Sequence, residues 1–184
     1  MRFFETEQSK FAYFFDLFFY GASPLVLMAF LYVYSPINDR KTYFFLVILG
    51  WSLWTLIEYL LHRFVLHGIE PFKNWHLQHH LKPKSRIGLA TALSLGLIIF
   101  FIFTPSYYAM NAWNAWSLTC GFSVGYGLYT HIHHASHHYK YLLRWLPTRQ
   151  RDHAKHHKSH LKPNAIGCHY GVTTQFWDRI FRTN

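Results

Sequence analysis

Four long stretches of this 184-residue sequence carry almost no charge. The first contains only Asp16, the second contains only Glu58 near its end, and the other two contain no charged residue. A helix needs roughly 20 apolar residues to cross the hydrocarbon core of a bilayer, so the first two stretches are predicted membrane spans. The third is shorter and the fourth is diluted by asparagines and glycines, which leaves buried soluble helices as the alternative for those two. The stretches cover residues 11–34, 42–61, 88–104 and 107–130.

Four helices of this kind predict an all-α, integral membrane protein with a single domain over residues 1–184. With four crossings, the segments after the second and fourth spans lie on the same side of the membrane. Of the 18 lysines and arginines, only Arg40 and Lys41 fall in the loops on the opposite side. The positive-inside rule makes the basic side cytoplasmic. We therefore expect anionic lipid headgroups to be the partners of the basic residues that give the formal charge of +10. The sequence contains no RNA-binding motif that would support a nucleic acid partner.

Ten of the 15 histidines form four short clusters, two after the second predicted span and two after the fourth. Residues at i, i+3 and i+4 lie on one face of a helix, so such spacings aim several imidazoles at one point. Neutral imidazole is the commonest metal ligand of proteins and suits iron, zinc, copper and nickel. The clusters exceed the needs of one four-coordinate zinc and indicate two metal ions close together. Their members are His62 and His67; His76, His79 and His80; His133 and His137; His153, His156 and His157.

The order of the clusters and the closing segment GVTTQFWDRIFRT resemble the fatty acid hydroxylase/sterol desaturase superfamily, most of all its fatty acid 2-hydroxylase branch. One pattern of that branch, EYxxHRxxxH, is matched by residues 58–67. The closing pattern of the branch is matched by residues 171–183, with Arg182 in place of a glycine. The resemblance extends from about Glu58 to the C-terminus and includes the four-span layout.

The superfamily consists of integral-membrane di-metal oxygenases. The resemblance therefore implies that the ten clustered histidines hold two iron ions, with zinc as a replacement in a purified sample and O2 as the co-substrate. These ligands would form a histidine-rich di-metal dome on the cytoplasmic face, built from residues 62–80 and 131–160. The implied activity is that of a membrane di-iron monooxygenase that hydroxylates a C–H bond of an acyl chain, at C2.

Eukaryotic relatives in this branch often carry a fused cytochrome b5 domain, for which the sequence is too short. We therefore expect a lipid substrate, surrounding membrane lipids and a separate electron donor, either a b5-type cytochrome or a ferredoxin. Two alternatives stay open. One is a hydroxylase or desaturase of sterols or carotenoids from the same superfamily. The other is a non-catalytic metal-binding membrane protein or transporter, although a transporter is expected to place its ligands near the bilayer midplane.

The third cluster has two registers, because His134 and His138 have the same spacing as His133 and His137. The superfamily has a Tyr-Asp pair before this cluster, with the acidic residue three positions before the first ligand. The Tyr-Thr pair at residues 129–130 aligns with it, which favours His133 and His137. The threonine stands where the superfamily has an acidic residue.

Glu58 lies one helical turn before His62 and is expected to accept the ring N–H of that ligand, since carboxylates commonly orient metal-bound imidazoles. An ion pair with a nearby base such as Arg63 is the alternative. Asp178 is expected to pair with an arginine and so to hold the C-terminal segment against the dome.

Two expectations concern the membrane interface. Asp16 lies near the inner end of the first predicted span, and we expect a solvated interfacial carboxylate there. In residues 139–147, leucines and tyrosine recur at helical spacing with basic residues on the other side. This pattern predicts a short amphipathic helix that lies in the interface and ends at Pro147.

Overall fold

The computed structural model describes residues 7–139, 146–161 and 167–184. Within these ranges the chain is helical and forms no β-strand, only an isolated antiparallel bridge between Glu7 and Ile87. The all-α prediction is therefore confirmed for the described residues. The α-helices are α1 (Lys10–Tyr34), α2 (Arg40–Leu60), α3 (Phe72–Leu81), α4 (Thr91–Ile98), α5 (Thr104–Ala109), α6 (Ala112–His138), α7 (Leu146–His160) and α8 (Phe176–Ile180). One π-helical turn extends α2 over Leu61–Leu66, and another joins α4 to α5 over Ile99–Phe103.

Three helical segments of the described chain are long and apolar enough to cross a membrane, as a membrane protein requires. They are Lys10–Tyr34, Ile37–Leu66 and Thr91–Ala109, and they contain most of the first three predicted spans. Helix α6, which covers most of the fourth, has 27 residues, but its asparagines, glycines and histidines lower its mean hydropathy. A fourth span therefore stays a prediction.

The third segment continues beyond residue 104, where the predicted span ends. Proline lacks a backbone N–H and interrupts the hydrogen bonds of an α-helix. Here Pro105 lies at the start of α5, directly after the π-helical turn at Ile99–Phe103. Because a π-helical turn already departs from the i→i+4 pattern, the helix accommodates the proline and ends only at Ala109.

Residues 8–54 and 88–128 form one compact unit, which we call the apolar unit. Polar contacts join α1 to α4 inside it. The hydroxyl groups of Tyr20 and Ser94 lie 2.9 Å apart, and Thr91 donates a hydrogen bond of 2.8 Å to Asp16. Asp16 is buried, so the expectation of a solvated carboxylate is wrong. A carboxylate in apolar surroundings needs such donors.

Glycines allow α2 and α6 to approach each other closely within the apolar unit. A Cβ at Gly50 would overlap the carbonyl oxygen of Leu118, and one at Gly121 would overlap the carbonyl oxygen of Val47. Both obstacles are backbone atoms, which cannot rotate away. Small residues serve this purpose widely in membrane helix pairs.

The remaining residues, 55–87 and 129–184 with the segment up to Glu7, form a second compact unit, the histidine unit. One buried apolar cluster among its described residues consists of Ile132, Ala135 and Val172, with Tyr129 packed against them. Many of its buried side chains are histidines and acids. Most of the predicted interfacial helix at 139–147 lies outside the described residues. Pro147 is in the first turn of α7, not at a helix end, and proline is well tolerated there.

Candidate metal centre

Nine of the ten clustered histidines come together in two compact groups within the histidine unit. In each group, every histidine offers a ring nitrogen within 4.8 Å of those offered by the others. Group 1 consists of His62, His67, His76, His80 and His156, and group 2 consists of His79, His133, His137 and His153. The tenth, His157, has its Nε2 3.1 Å from Nε2 of His153, and its ring stacks on His80 with centroids 4.2 Å apart.

A π-helical turn brings His62 and His67 to the same side of the chain. Two side chains five residues apart in an α-helix point about 140° away from each other. Helix α2, however, continues as a π-helix over Leu61–Leu66, in which hydrogen bonds run between residues five apart. The rings of His62 and His67 consequently lie 5.1 Å apart. The turn explains why the first cluster lacks the i+3 or i+4 spacing of the other three.

Helix α3 contributes to both groups because its three histidines are directed to two places. His76 and His80 are four residues apart, and their Nε2 atoms lie 3.0 Å from each other in group 1. His79 belongs to group 2, where its Nε2 lies 3.0 Å from Nε2 of His133. One HxxHH pattern on a single helix therefore joins the two groups.

Helix α7 divides its histidines in the same way. His153 belongs to group 2, with its Nε2 2.9 Å from Nε2 of His137 on α6. His156 belongs to group 1, with its Nε2 3.1 Å from Nε2 of His67. Because α3 and α7 each serve both groups, the two groups are direct neighbours.

The other register of the third cluster lies outside both groups. His134 and His138 stack on each other with ring centroids 4.4 Å apart, and His131 is exposed. One residue along an α-helix turns a side chain by about 100°, so α6 cannot direct both pairs to one point. The geometry thus brings His133 and His137 into group 2, and their role as ligands stays a proposal.

Backbone carbonyl groups fix the tautomers of two histidines in group 1. Nδ1 of His62 lies 2.5 Å from the carbonyl oxygen of Tyr170, and Nδ1 of His156 lies 2.8 Å from that of Cys168. A carbonyl oxygen only accepts, so each Nδ1 carries the hydrogen and donates it. The Nε2 of each ring therefore presents a lone pair to group 1, as a metal ligand must.

The expectation that Glu58 accepts the ring N–H of His62 is corrected by the structure, in which Tyr170 is the acceptor. Oε1 of Glu58 instead accepts hydrogen bonds from the backbone N–H groups of Val172 and Thr173, at 2.6 and 3.0 Å. Buried backbone N–H groups need an acceptor, and the C-terminal segment brings these two to the carboxylate. Glu58 thus positions the segment whose carbonyl group holds His62.

Asp178 holds the same segment through backbone N–H groups and not through an arginine, so that expectation is also wrong. This fully buried carboxylate accepts hydrogen bonds of 2.8 Å from Tyr170 N–H and the Thr183 hydroxyl at Oδ1, and of 2.8 Å from Gly171 N–H at Oδ2. The ion pairs of the described residues do not include it. A Cβ at Gly171 would overlap the carbonyl oxygen of Thr174, so the close turn depends on the glycine.

The buried imidazoles of both groups stay neutral near pH 7. Burial, reinforced by the neighbouring histidines, lowers the pKa of His79 and His80 to about 2. The same two causes hold the pKa of His153 and His156 well below the usual range. A charged imidazole would lose its hydration here and would face other positive charges. The neutral form is the one that binds metal ions.

The spacing of the facing nitrogens fits one metal ion in each group. Two nitrogens at a right angle, each about 2.1 Å from one metal ion, are about 3.0 Å from each other. The facing Nε2 atoms are 2.9–3.1 Å apart in the pairs His62–His76, His76–His80, His67–His156, His79–His133, His137–His153 and His153–His157. A donor set of imidazoles alone suits iron and zinc alike.

Sequence reasoning missed several residues that surround the centre. His160 stacks on His67 with centroids 3.7 Å apart, and its position four residues after His156 was a usable signal, since it continues the same helix face. Asp152, beside His153, is buried, accepts a hydrogen bond from Gln175 and lies 3.7 Å from an Arg149 nitrogen. The carbonyl groups that orient the rings have no signature in the sequence, because every residue has one.

Comparison with known proteins points to a single family. A family model described as fatty acid hydroxylase matches residues 47–183. The ceramide very long chain fatty acid hydroxylase scs7 of Schizosaccharomyces pombe is 31% identical over 176 residues, which cover 87% of this chain and 48% of the relative. Fatty acid 2-hydroxylase of Rattus norvegicus is 27% identical over 161 residues, covering 82% and 42%. The human fatty acid 2-hydroxylase is 31% identical over 155 residues, covering 75% and 39%. The chain thus spans about half the length of these relatives, or less.

A solved structure has the same fold. It is that of full-length scs7p, in which only the hydroxylase domain is visible, with a TM-score of 0.72 and 24% identity. The match covers 97% of this chain and 67% of the other. The family model extends over most of the sequence, from α2 to the closing segment, and so confirms the resemblance drawn from the histidine clusters. The chain belongs to the fatty acid hydroxylase family.

Proposed function

We propose that this protein is a membrane di-iron monooxygenase that uses O2 to hydroxylate an acyl chain, at C2. The observation that carries the proposal is the convergence of the histidine clusters into two groups with Nε2 atoms 2.9–3.1 Å apart, in a chain of the fatty acid hydroxylase family. The relatives named as ceramide fatty acid hydroxylase and fatty acid 2-hydroxylase support an acyl substrate.

The ten clustered histidines are the proposed ligands of two iron ions. When bound, such a pair supplies the chemistry that reduces O2 and breaks an unactivated C–H bond, which no protein side chain performs unaided. The balanced reaction is RH + O2 + two electrons + two protons giving ROH + H2O. One oxygen atom enters the substrate and the other leaves as water.

The chain's own residues contribute orientation and control of protonation. Two carbonyl groups of the C-terminal segment hold the ring N–H groups of His62 and His156, so that each Nε2 faces the site. Burial keeps the surrounding imidazoles neutral, so protons do not compete for the ligating nitrogens. Glu58 and Asp178 anchor the backbone of that segment, which keeps the two carbonyl groups in place.

The proposed topology has four membrane spans with the histidine unit on the cytoplasmic face. Three apolar helical segments support it, together with the restriction of basic residues on the other side to Arg40 and Lys41. The two electrons then come from a separate cytoplasmic carrier, a b5-type cytochrome or a ferredoxin. The basic residues of the histidine side attract such an acidic partner over the screening length of physiological salt, about 8 Å.

Lipid analysis of cells that express the chain tests the activity. We would compare wild type, His133→Ala and His134→Ala in cells without their own acyl hydroxylase, supplied with 18O-labelled O2. Wild type and His134→Ala should produce acyl chains that gain one labelled oxygen, at C2 by fragmentation, and His133→Ala should produce none. His134 is the matched control because it is a buried histidine of α6 outside both groups.

The same experiment separates the alternatives. Labelled sterols or carotenoids, or new double bonds without label, would replace the acyl hydroxylase proposal by another activity of this superfamily. Bound metal without any O2-dependent product would favour a metal-binding membrane protein or transporter. Metal analysis of the purified protein decides between iron and zinc.

A further inference from the structure

His67 is held differently from His62 and His156 of group 1. His62 and His156 donate their Nδ1–H groups to backbone carbonyls. Among the described residues, His67 has no hydrogen bond from Nδ1, and its Nε2 faces His156. It also lies just after the π-helical turn and not inside a helix. A ligand so placed needs another contact to fix the orientation of its ring.

His160 provides that contact. The two rings stack with centroids 3.7 Å apart and an interplanar angle of 20°. His160 lies one turn after His156 on α7, and the rings of these two histidines are 4.7 Å apart. Nε2 of His160 is buried and has no hydrogen-bond partner in the part of the chain that the structure describes. The ring therefore sits beside group 1 without belonging to it.

Gly167 and Tyr170 close the site behind His160. A Cβ at Gly167 would overlap Cε1 and Nε2 of His160 and the hydroxyl oxygen of Tyr170. The described glycines all have negative φ angles, so this position needs a glycine for space and not for its backbone conformation. The tyrosine ring lies 5.5 Å from the ring of His160. The imidazole of His160 is thus confined between this wall and His67.

We propose that His160 is a positioning residue that orients the ring of His67 toward the metal ion of group 1 by stacking. The inference rests on the proposed metal centre and adds an eleventh histidine to it, one that acts through its ring face and not through a nitrogen. The rival role for His160 is that of a direct metal ligand through Nε2.

The test uses the purified full chain loaded with Co²⁺, whose visible spectrum reports coordination geometry. His160→Ala should release one of two bound Co²⁺ ions to a chelator about 10-fold faster than wild type, as expected when a residue that orients a ligand is lost, and should alter the spectrum. His160→Phe keeps an aromatic ring and should restore the release rate and the spectrum of wild type. Gly167→Ala displaces the ring without removing any nitrogen and should resemble His160→Ala. His138→Ala, which removes a stacked histidine outside both groups, is the control.

The outcomes separate the inference from the proposed centre. If His160→Phe behaves like His160→Ala while Gly167→Ala behaves like wild type, a ring nitrogen of His160 is required for metal binding and the positioning role is overturned. An unchanged release rate in His160→Ala also overturns it. Wild type that binds fewer than two Co²⁺ ions per chain would remove the centre and the inference with it. Equal thermal midpoints of the metal-free variants would show that lost folding does not cause the faster release.

Discussion

Replacing Asp178 with asparagine should loosen the segment that holds the ring of His62. The carboxylate is fully buried and accepts three hydrogen bonds of 2.8 Å, from Tyr170 N–H, Gly171 N–H and the Thr183 hydroxyl. Asparagine has nearly the same shape but only one acceptor oxygen. If that oxygen accepts from Tyr170 N–H and from the Thr183 hydroxyl, the amide nitrogen must face the N–H of Gly171.

The expected loss of stability follows from these three contacts. A hydrogen bond to a charged group contributes about 1.5–3 kcal/mol and a neutral one about 1, so the two retained bonds lose about 1 kcal/mol each. A buried N–H without an acceptor costs about 2 kcal/mol. The variant should therefore be less stable by about 4 kcal/mol, which lowers the thermal midpoint of a protein of this size by about 8–16 °C.

The assay compares apparent thermal midpoint and bound metal per chain in detergent for wild type, Asp178→Asn and Asp39→Asn. Asp39 is an exposed acid outside the histidine unit, and its replacement should change stability by less than about 0.5 kcal/mol. Asp178→Asn should also lose metal, because Tyr170 both donates to Asp178 and accepts from His62. A variant with the midpoint and metal content of wild type would refute the role given to this carboxylate.

Three further predictions address the ligands, the acid stability and the electron donor. Changing His133 to alanine should remove metal from group 2, whereas the same change at His134 should leave the metal content of the purified protein unchanged; the reverse result would exchange the two registers. In metal-free protein, histidines such as His79 and His80 have a pKa below the value of about 6.5 in the unfolded chain. The folded state therefore binds fewer protons, so its thermal midpoint should be highest above about pH 6.5 and should fall steadily between pH 6.5 and 4; a constant midpoint would contradict the burial of neutral imidazoles. Turnover with a separate acidic donor should fall as salt rises, and glutamine at Lys82, Lys84 and Arg86 should weaken this dependence, the first two more strongly because Arg86 already pairs with Glu7 at 3.1 Å; unchanged rates in both experiments would leave these residues only a role in membrane anchoring.

The sequence was sufficient to predict the helices and the clusters because both are local properties. A run of apolar residues indicates a helix wherever it packs, and histidines at i, i+3 and i+4 share a helix face before any tertiary contact forms. Spacing alone did not separate His133 and His137 from His134 and His138; the resemblance to the superfamily at the Tyr-Thr pair favoured the first two. The local argument did not explain the five-residue spacing of His62 and His67, because a π-helical turn has no clear pattern of its own in the sequence.

The partners of the buried carboxylates could not be predicted, because they lie far away along the chain. Glu58 meets Val172 and Thr173 more than 100 residues later. Side-chain spacing on one helix suggested a histidine partner for this carboxylate, but the donors are backbone N–H groups of a segment without regular secondary structure. Such groups compete strongly for any acceptor when they are buried. An arginine partner for Asp178 failed for the same reason.

These contacts explain how the two groups stay free of carboxylate ligands although acids are buried in the same unit. Glu58, Asp152 and Asp178 are all buried, and each accepts hydrogen bonds from the C-terminal part of the chain, from backbone groups or from Gln175. Neither group of histidines includes a carboxylate oxygen, but the negative charges of these acids remain in the histidine unit. Two metal ions held by neutral imidazoles would bring a large positive charge into it. The carboxylates would balance that charge without entering the donor set, so removing one should weaken metal binding even where every histidine is kept.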